Sequence, residues 1–202
     1  MKIDGRINRS LKTKAKILMA AQNIFKDLGY KNTTVNKIAM AAGAAHGTVY
    51  IHFPEGKDEI LAHFMTDLMD EFYSVADIEF EPKTTEEAYE IIRSQIFQFL
   101  SLAKKYQTEL LLFYEGIQVS QLLKEKWGYI NENFIKRICS DITYSQSLSL
   151  AKAETDPEVS ARILFYNLEH FLWDIIHNRV SFTEESIAKN LTQIYMYGLY
   201  NQ

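Results

Sequence analysis

The chain has 202 residues, 47% hydrophobic and 24% charged, a composition that suits a soluble globular protein whose core needs neither disulfides nor metals. A single cysteine, Cys139, excludes an internal disulfide or a multi-cysteine zinc site; no run approaches the ~18 apolar residues of a membrane span, and the charged start MKIDGRINRSLKTKAK lacks the apolar stretch of a secretory signal. The net charge of −4 is uneven: through Lys57 there are ten basic residues and three acidic ones, and the remainder is acidic, so only this head suits a polyanion.

Three prolines and eight glycines are few for this length and favour long helices. From Ser10 to Leu28 the apolar residues Ile17, Leu18, Ala21, Ile24, Phe25 and Leu28 recur at three and four, the stripe of a helix with one buried face. Gly29 supplies the stop. Thr34 then caps a short second helix carrying Val35, Ile38, Ala39 and Ala42, which Gly43 ends. A third short helix spans about Ala45 to Phe53 and is broken by Pro54 and Gly56.

A long fourth helix runs from Lys57 to about Ile78, with Leu61, Phe64, Met65, Leu68, Phe72 and Val75 on its apolar face. After Pro82, Thr84 and Glu87 have capping-box spacing and open the next helix. One or two helices follow between Thr108 and about Gln146, with a break near Val119–Ser120. Asp156-Pro157 starts another, and Thr183 caps the last, which ends near Leu199. The reading is all-α: three helices in the head and about six in the body, some nine in total, with no convincing strand.

The densest punctuation lies in AAGAAHGTVYIHFPEGKDEI, Ala41 to Ile60. Two short helices hinged at Gly43 and braced by a first amphipathic helix form a helix-turn-helix. Val49 and Phe53 repeat at four and should face inward. His46, Gly47, Thr48, Tyr50 and His52 then lie on or beside the open face, where small residues allow close approach and polar ones reach bases and phosphates. Lys2, Arg6 and Arg9 are candidates for an arm on phosphates or in a minor groove.

The string TTVNKIAMAAG…GTVYIHF…K…IL, over about Lys12 to Leu61, resembles the amino-terminal domain of tetracycline-repressor-like (TetR) transcriptional regulators. The rest resembles them in helix lengths and in DPEVSARILF near the expected start of helix eight. The resemblance implies an all-helical homodimer, with a helix-turn-helix DNA-binding domain over 1–56 and a helical ligand-binding and dimerisation domain over 57–202. It implies that His46, Gly47 and Thr48 approach bases, and that Thr34, Tyr50, His52 and Lys57 meet phosphates. Ala45 belongs to the same DNA-contacting segment, although it stands where the family often has serine or threonine. FPEGK places one residue more before Lys57 than the commonest form.

The implied partners are a double-stranded operator, a small-molecule inducer and a second copy joined through the last two helices, all in the cytoplasm and away from membranes. No cofactor is implied. The region beyond Ile60 holds 22 of the 26 aromatic residues, and bulky rings can leave a cavity between helices. In the family such a cavity holds the inducer. Candidates to line it are Phe64, Phe99, Phe113, Trp127, Phe134, Tyr166 and His170. The alternative is a ligand-independent architectural or cell-cycle DNA binder of the same fold.

Enzymatic readings find little support. His170, Asp174 and His177 have legal metal-ligand spacing, yet read as a polar seam, so no metal site is expected. SLAK at Ser101 matches a catalytic Ser-x-x-Lys pattern but sits mid-helix without companions. Nothing assembles a nucleophile, a base and an oxyanion site.

Overall fold

A computed structural model describes residues 5–199. Among them are nine helices and no strand: α1 Gly5–Asn32, α2 Val35–Ala42, α3 His46–His52, α4 Lys57–Ala76, α5 Thr85–Lys105, α6 Gln107–Ile117, α7 Gln121–Ser147, α8 Pro157–Ile176 and α9 Glu184–Leu199. None is long and apolar enough to cross a membrane. The helices form two compact units. One runs through Asp67 and takes in Thr108–Trp127; the other comprises Leu68–Gln107 and the chain from Gly128. α4 and α7 each pass from one unit to the other.

Local chemistry sets the helix ends. Gly29 interrupts α1 with φ 72° and ψ 173°, so the expected stop survives as a kink before a last short turn. Thr34 Oγ1 accepts from Lys37 N at 3.3 Å. At the other end of α2, Gly43 N donates to Met40 O at 3.1 Å and Ala44 N to Ala39 O at 2.9 Å. This paired closure requires a left-handed residue between the two bonds, and Gly43, at φ 62°, supplies it.

The remaining caps follow the same chemistry. Thr84 accepts from Glu87 N at 3.1 Å, and Glu87 reaches back to Lys83 N, one residue before the cap, at 2.7 Å. Asp156 accepts from Val159 N at 2.9 Å and Thr183 from Ser186 N at 3.1 Å. The expected break near Val119–Ser120 falls between α6 and α7.

In the first unit, α1 packs on α2 and α3 around Ile17, Ala21, Phe25, Ile38, Ala39, Val49 and Phe53, all buried. Removing such a set from water is the main stabilisation of a head this small. In the second unit α5 lies against α8 and α9. There a run of rings links Phe72, Phe99, Phe134 and Phe165, with successive centroids 5.0, 5.7 and 5.6 Å apart. Edge-on and offset packing of this kind adds to simple area burial. Cys139, the lone thiol, is only partly buried.

Candidate functional site

The segment around α3 owes its shape to two buried residues and two glycines. Val49 and Phe53 are fully buried, which fixes the rotation of α3 about its axis. His46, Gly47 and Tyr50 are therefore exposed, and Thr48 and His52 partly so. The Tyr50 ring meets the His46 ring edge-on at 5.1 Å. Ala45 supplies no side-chain acceptor to the first amides of α3, leaving the start of that helix sterically slim.

The turn after α3 accommodates Tyr50. Gly56 N donates to Phe53 O at 2.8 Å, and Gly56 is left-handed at φ 62°. A Cβ there would lie 3.0 Å from Val35 Cγ2 and 3.3 Å from Tyr50 Cε1. The extra residue of FPEGK is thus absorbed by a tight turn on which the tyrosine ring rests.

Thr34, His46, Tyr50 and Lys57 line a single groove, together with Lys31, Asn36 and the carboxylates of Glu55 and Asp58. Lys57 is held more firmly than a surface phosphate contact requires. Its ammonium donates to Tyr30 O at 2.8 Å and Thr33 O at 3.0 Å and lies 4.0 Å from the Tyr30 ring centroid. Burial lowers its pKa below the usual lysine value, against the pull of Asp58 and Glu115. Lys57 therefore closes the end of α1, where carbonyls lack helical partners.

Around it, Tyr30 Oη donates to Asp58 Oδ1 and Ser120 Oγ to Asp58 Oδ2, both at 2.6 Å. Tyr30 N donates to Glu115 Oε2 at 3.1 Å. Sequence reasoning missed Lys31 and Asn36 as groove residues; their signal is position, flanking the Thr34 cap. Of the suggested arm, Lys2 and the Arg6 side chain lie outside the described residues, and exposed Arg9 turns its Nε to Gly5 O at 3.4 Å.

Residues 17–64 match the model of bacterial regulatory proteins of the tetR family. These 48 residues are thus TetR-like, matching the amino-terminal domain of that family of transcriptional regulators. It is 26% identical to YhgD, an HTH-type transcriptional regulator of Bacillus subtilis, over 93% of this chain and 96% of that one. Its fold is that of NalD, the secondary repressor of the MexAB-OprM multidrug efflux pump in Pseudomonas aeruginosa (TM-score 0.71, 20% identity, 96% and 99% of the two chains). It is also that of SmeT in complex with triclosan (TM-score 0.66, 19% identity, 95% and 93%); SmeT is the repressor of the Stenotrophomonas maltophilia pump SmeDEF. The matched family and these relatives are transcriptional regulators, not enzymes.

The second unit contains a cavity of ≈ 70 Å³. Of the seven sequence candidates, Phe99 and Phe134 line it. Phe64, Phe113 and Trp127 belong to the other compact unit. Tyr166 and His170 are exposed on α8, and His170 Nε2 lies 3.6 Å from Asp174 Oδ2. His177 Nδ1 is 2.7 Å from Trp173 O, and no cluster of three metal-ligating side chains occurs among the described residues.

Sequence reasoning missed the polar end of the cavity, Gln95, Arg137 and Asp141. Arg137 Nε donates to Ala76 O at 3.0 Å, Nη2 to Ile78 O at 3.2 Å and Nη1 to Asp141 Oδ1 at 2.8 Å. Burial pushes the Asp141 carboxyl up to about 7, although Arg137 pulls it down. The signal was present in Phe134, Arg137, Ile138, Asp141 and Ile142: two charges four apart on an otherwise apolar helix face.

Proposed function

We propose that this regulator is a cytoplasmic homodimeric repressor, released from a pseudo-palindromic operator by a small, largely apolar or aromatic ligand. Residues 1–56 read the DNA, and residues 57–202 bind the ligand and the second copy. The observation that carries the reading is the outward polar face of α3, His46 to His52, fixed by the burial of Val49 and Phe53. His46, Gly47 and Thr48 approach base edges, with Ala45 leaving room. Thr34, Tyr50 and His52 meet phosphates. Lys57 adds positive charge to the groove while it closes α1.

Dimerisation uses α8 and α9. Ile163 and Ile194 line a broad apolar groove between these helices, and exposed Val159 and Tyr197 extend the apolar surface. Such a surface is large for a monomer and suited to a self-complementary interface. Two copies then present two α3 helices to successive major grooves, about 34–36 Å apart.

Release follows from the cavity in the second unit, lined by Phe99, Phe134, Phe165 and their neighbours. Its volume is below the roughly 300–1,000 Å³ of ready-formed ligand sites. A drug-sized ligand must enlarge it, and so binds an expanded form more tightly than the closed one. That difference in affinity is what an inducer needs. α4 starts at Lys57 beside the reading head and ends at Ala76, which lines the cavity, so it is the lever between them. The small volume equally suits the ligand-independent alternative, which predicts that no compound acts through the cavity.

The test is selection of genomic fragments bound by the full chain, followed by light scattering of the complex. The proposal requires an inverted repeat held by two copies, with affinity falling steeply as salt rises. Monomeric protein indifferent to every duplex would end it.

A further inference from the structure

The cavity combines an aromatic wall with a buried acid. Asp141, on α7, is mostly buried, with its side chain 15% exposed. Oδ1 accepts from Arg137 Nη1, and among the described residues Oδ2 accepts no hydrogen bond. Arg137 does not spend its charge on Asp141 alone. Nε and Nη2 are committed to the carbonyls of Ala76 and Ile78, and Asp77 Oδ1 lies 4.0 Å from Nε. The other groups around the acid are weakly polar or apolar: Gln95 from α5, Tyr195 from α9, and Leu164, Phe165 and Leu168 from α8. The carboxylate is thus poorly compensated, and its ionisation is resisted by burial.

We propose that the ligand of this cavity is a small lipophilic cation, an organic amine, whose ammonium pairs with Asp141 while its apolar part lies among Phe99, Phe134 and Phe165. The proposal rests on the cavity being the ligand site and adds the ligand's charge. Three features favour a cation over an acid. The free oxygen of Asp141 is an acceptor for an N–H donor. The ring faces attract positive charge in a desolvated site. An anionic ligand would have to sit beside Asp141 and prise Arg137 from two carbonyls, with nothing to replace them.

Titration of the full chain at pH 7.5 with benzylamine, benzyl alcohol and benzoate separates the cases, because the three share a ring and differ in charge. Benzylammonium should bind about ten-fold or more tighter than benzyl alcohol, and benzoate most weakly. Asp141→Asn, which keeps an acceptor for Arg137, should erase the preference for the amine while retaining the alcohol. Equal binding of amine and alcohol, a preference that survives Asp141→Asn, or benzoate binding tightest would each overturn the charge assignment and leave the cavity as a ligand site. Ile138→Phe, which places a ring at the cavity wall, should weaken both amine and alcohol. Unchanged binding of both in that variant, or no binding of any of the three compounds to the wild type, would remove the cavity itself as the site.

Discussion

The Tyr30 hydroxyl donates to Asp58 Oδ1 at 2.6 Å, joining the end of α1 to the first turn of α4. Ser120 holds the second oxygen of the same carboxylate at 2.6 Å, so one acid ties three chain segments of the first unit together. Burial is the main reason the Tyr30 phenol is pushed above its ordinary pKa, and Asp58 adds to the effect. Tyr30→Phe keeps the ring packing and removes one charge-assisted bond. It should cost about 1.5–3 kcal/mol in urea unfolding; an unchanged midpoint would mean that the bond contributes nothing net.

Lys57 and Tyr50 line the same groove but should respond differently. Lys57→Ala strips a donor from the Tyr30 and Thr33 carbonyls and should lower stability in the absence of DNA. Tyr50→Phe should leave stability within about 0.5 kcal/mol, since the residue is exposed, and weaken binding to matched and scrambled duplexes alike. His46→Ala should change preference among sequences. Fluorescence anisotropy on both duplexes, with a thermal melt of each variant, separates these roles. Equal losses on both duplexes for His46→Ala would refute its base contact.

Gly43→Ala isolates backbone strain. A Cβ at this position meets nothing within 4 Å, while φ is +62°. The penalty is therefore conformational, about 1 kcal/mol or more. Because the left-handed turn sets the angle between α2 and α3, DNA affinity should fall further than stability does. Thermal melts and binding isotherms on one preparation compare the two directly.

Asp141 gives a pH signature. Its folded pKa, pushed up to about 7 by burial, lies above the ordinary aspartate value of 3.8, so the folded state holds its proton over a range where the unfolded chain has lost it. Its contribution to stability is complete below about pH 4, then declines as pH rises to about 7 and levels off once both states are ionised. Asp141→Asn escapes this decline. The melting temperature of the variant relative to wild type should climb from pH 4 to 7 and then hold steady; a flat difference would place the carboxyl near its ordinary pKa.

The apolar groove of α8 and α9 predicts its own disruption. Ile163→Glu combined with Ile194→Glu puts charge on exposed groove positions, 59% and 74% accessible in the single chain. Light scattering should then give a monomer that keeps its helical content and loses operator affinity by orders of magnitude, because paired half-site binding is gone. A dimer of undiminished stability would move the interface elsewhere.

The amino-acid sequence by itself determined the helices and the two faces of α3. Periodic apolar residues, the Thr34, Thr84, Asp156 and Thr183 caps and the Gly43 turn act over one or two helical turns, so each is visible in a short stretch of chain. Val49 and Phe53 announced the buried side of α3 in the same way, and its polar side followed. Tertiary structure alone decided what lies across from each buried face. Periodicity could not tell that Phe99 and Phe134 line the cavity while Phe113 packs in the other unit, nor that Lys57 closes α1 as well as lining the groove. Arg137 and Asp141, four apart on an apolar face, could be seen in the sequence, but the character of the acid could not: it comes from Arg137, the Ala76 and Ile78 carbonyls and the rings around it, and burial by residues distant in sequence is a property of the packed chain.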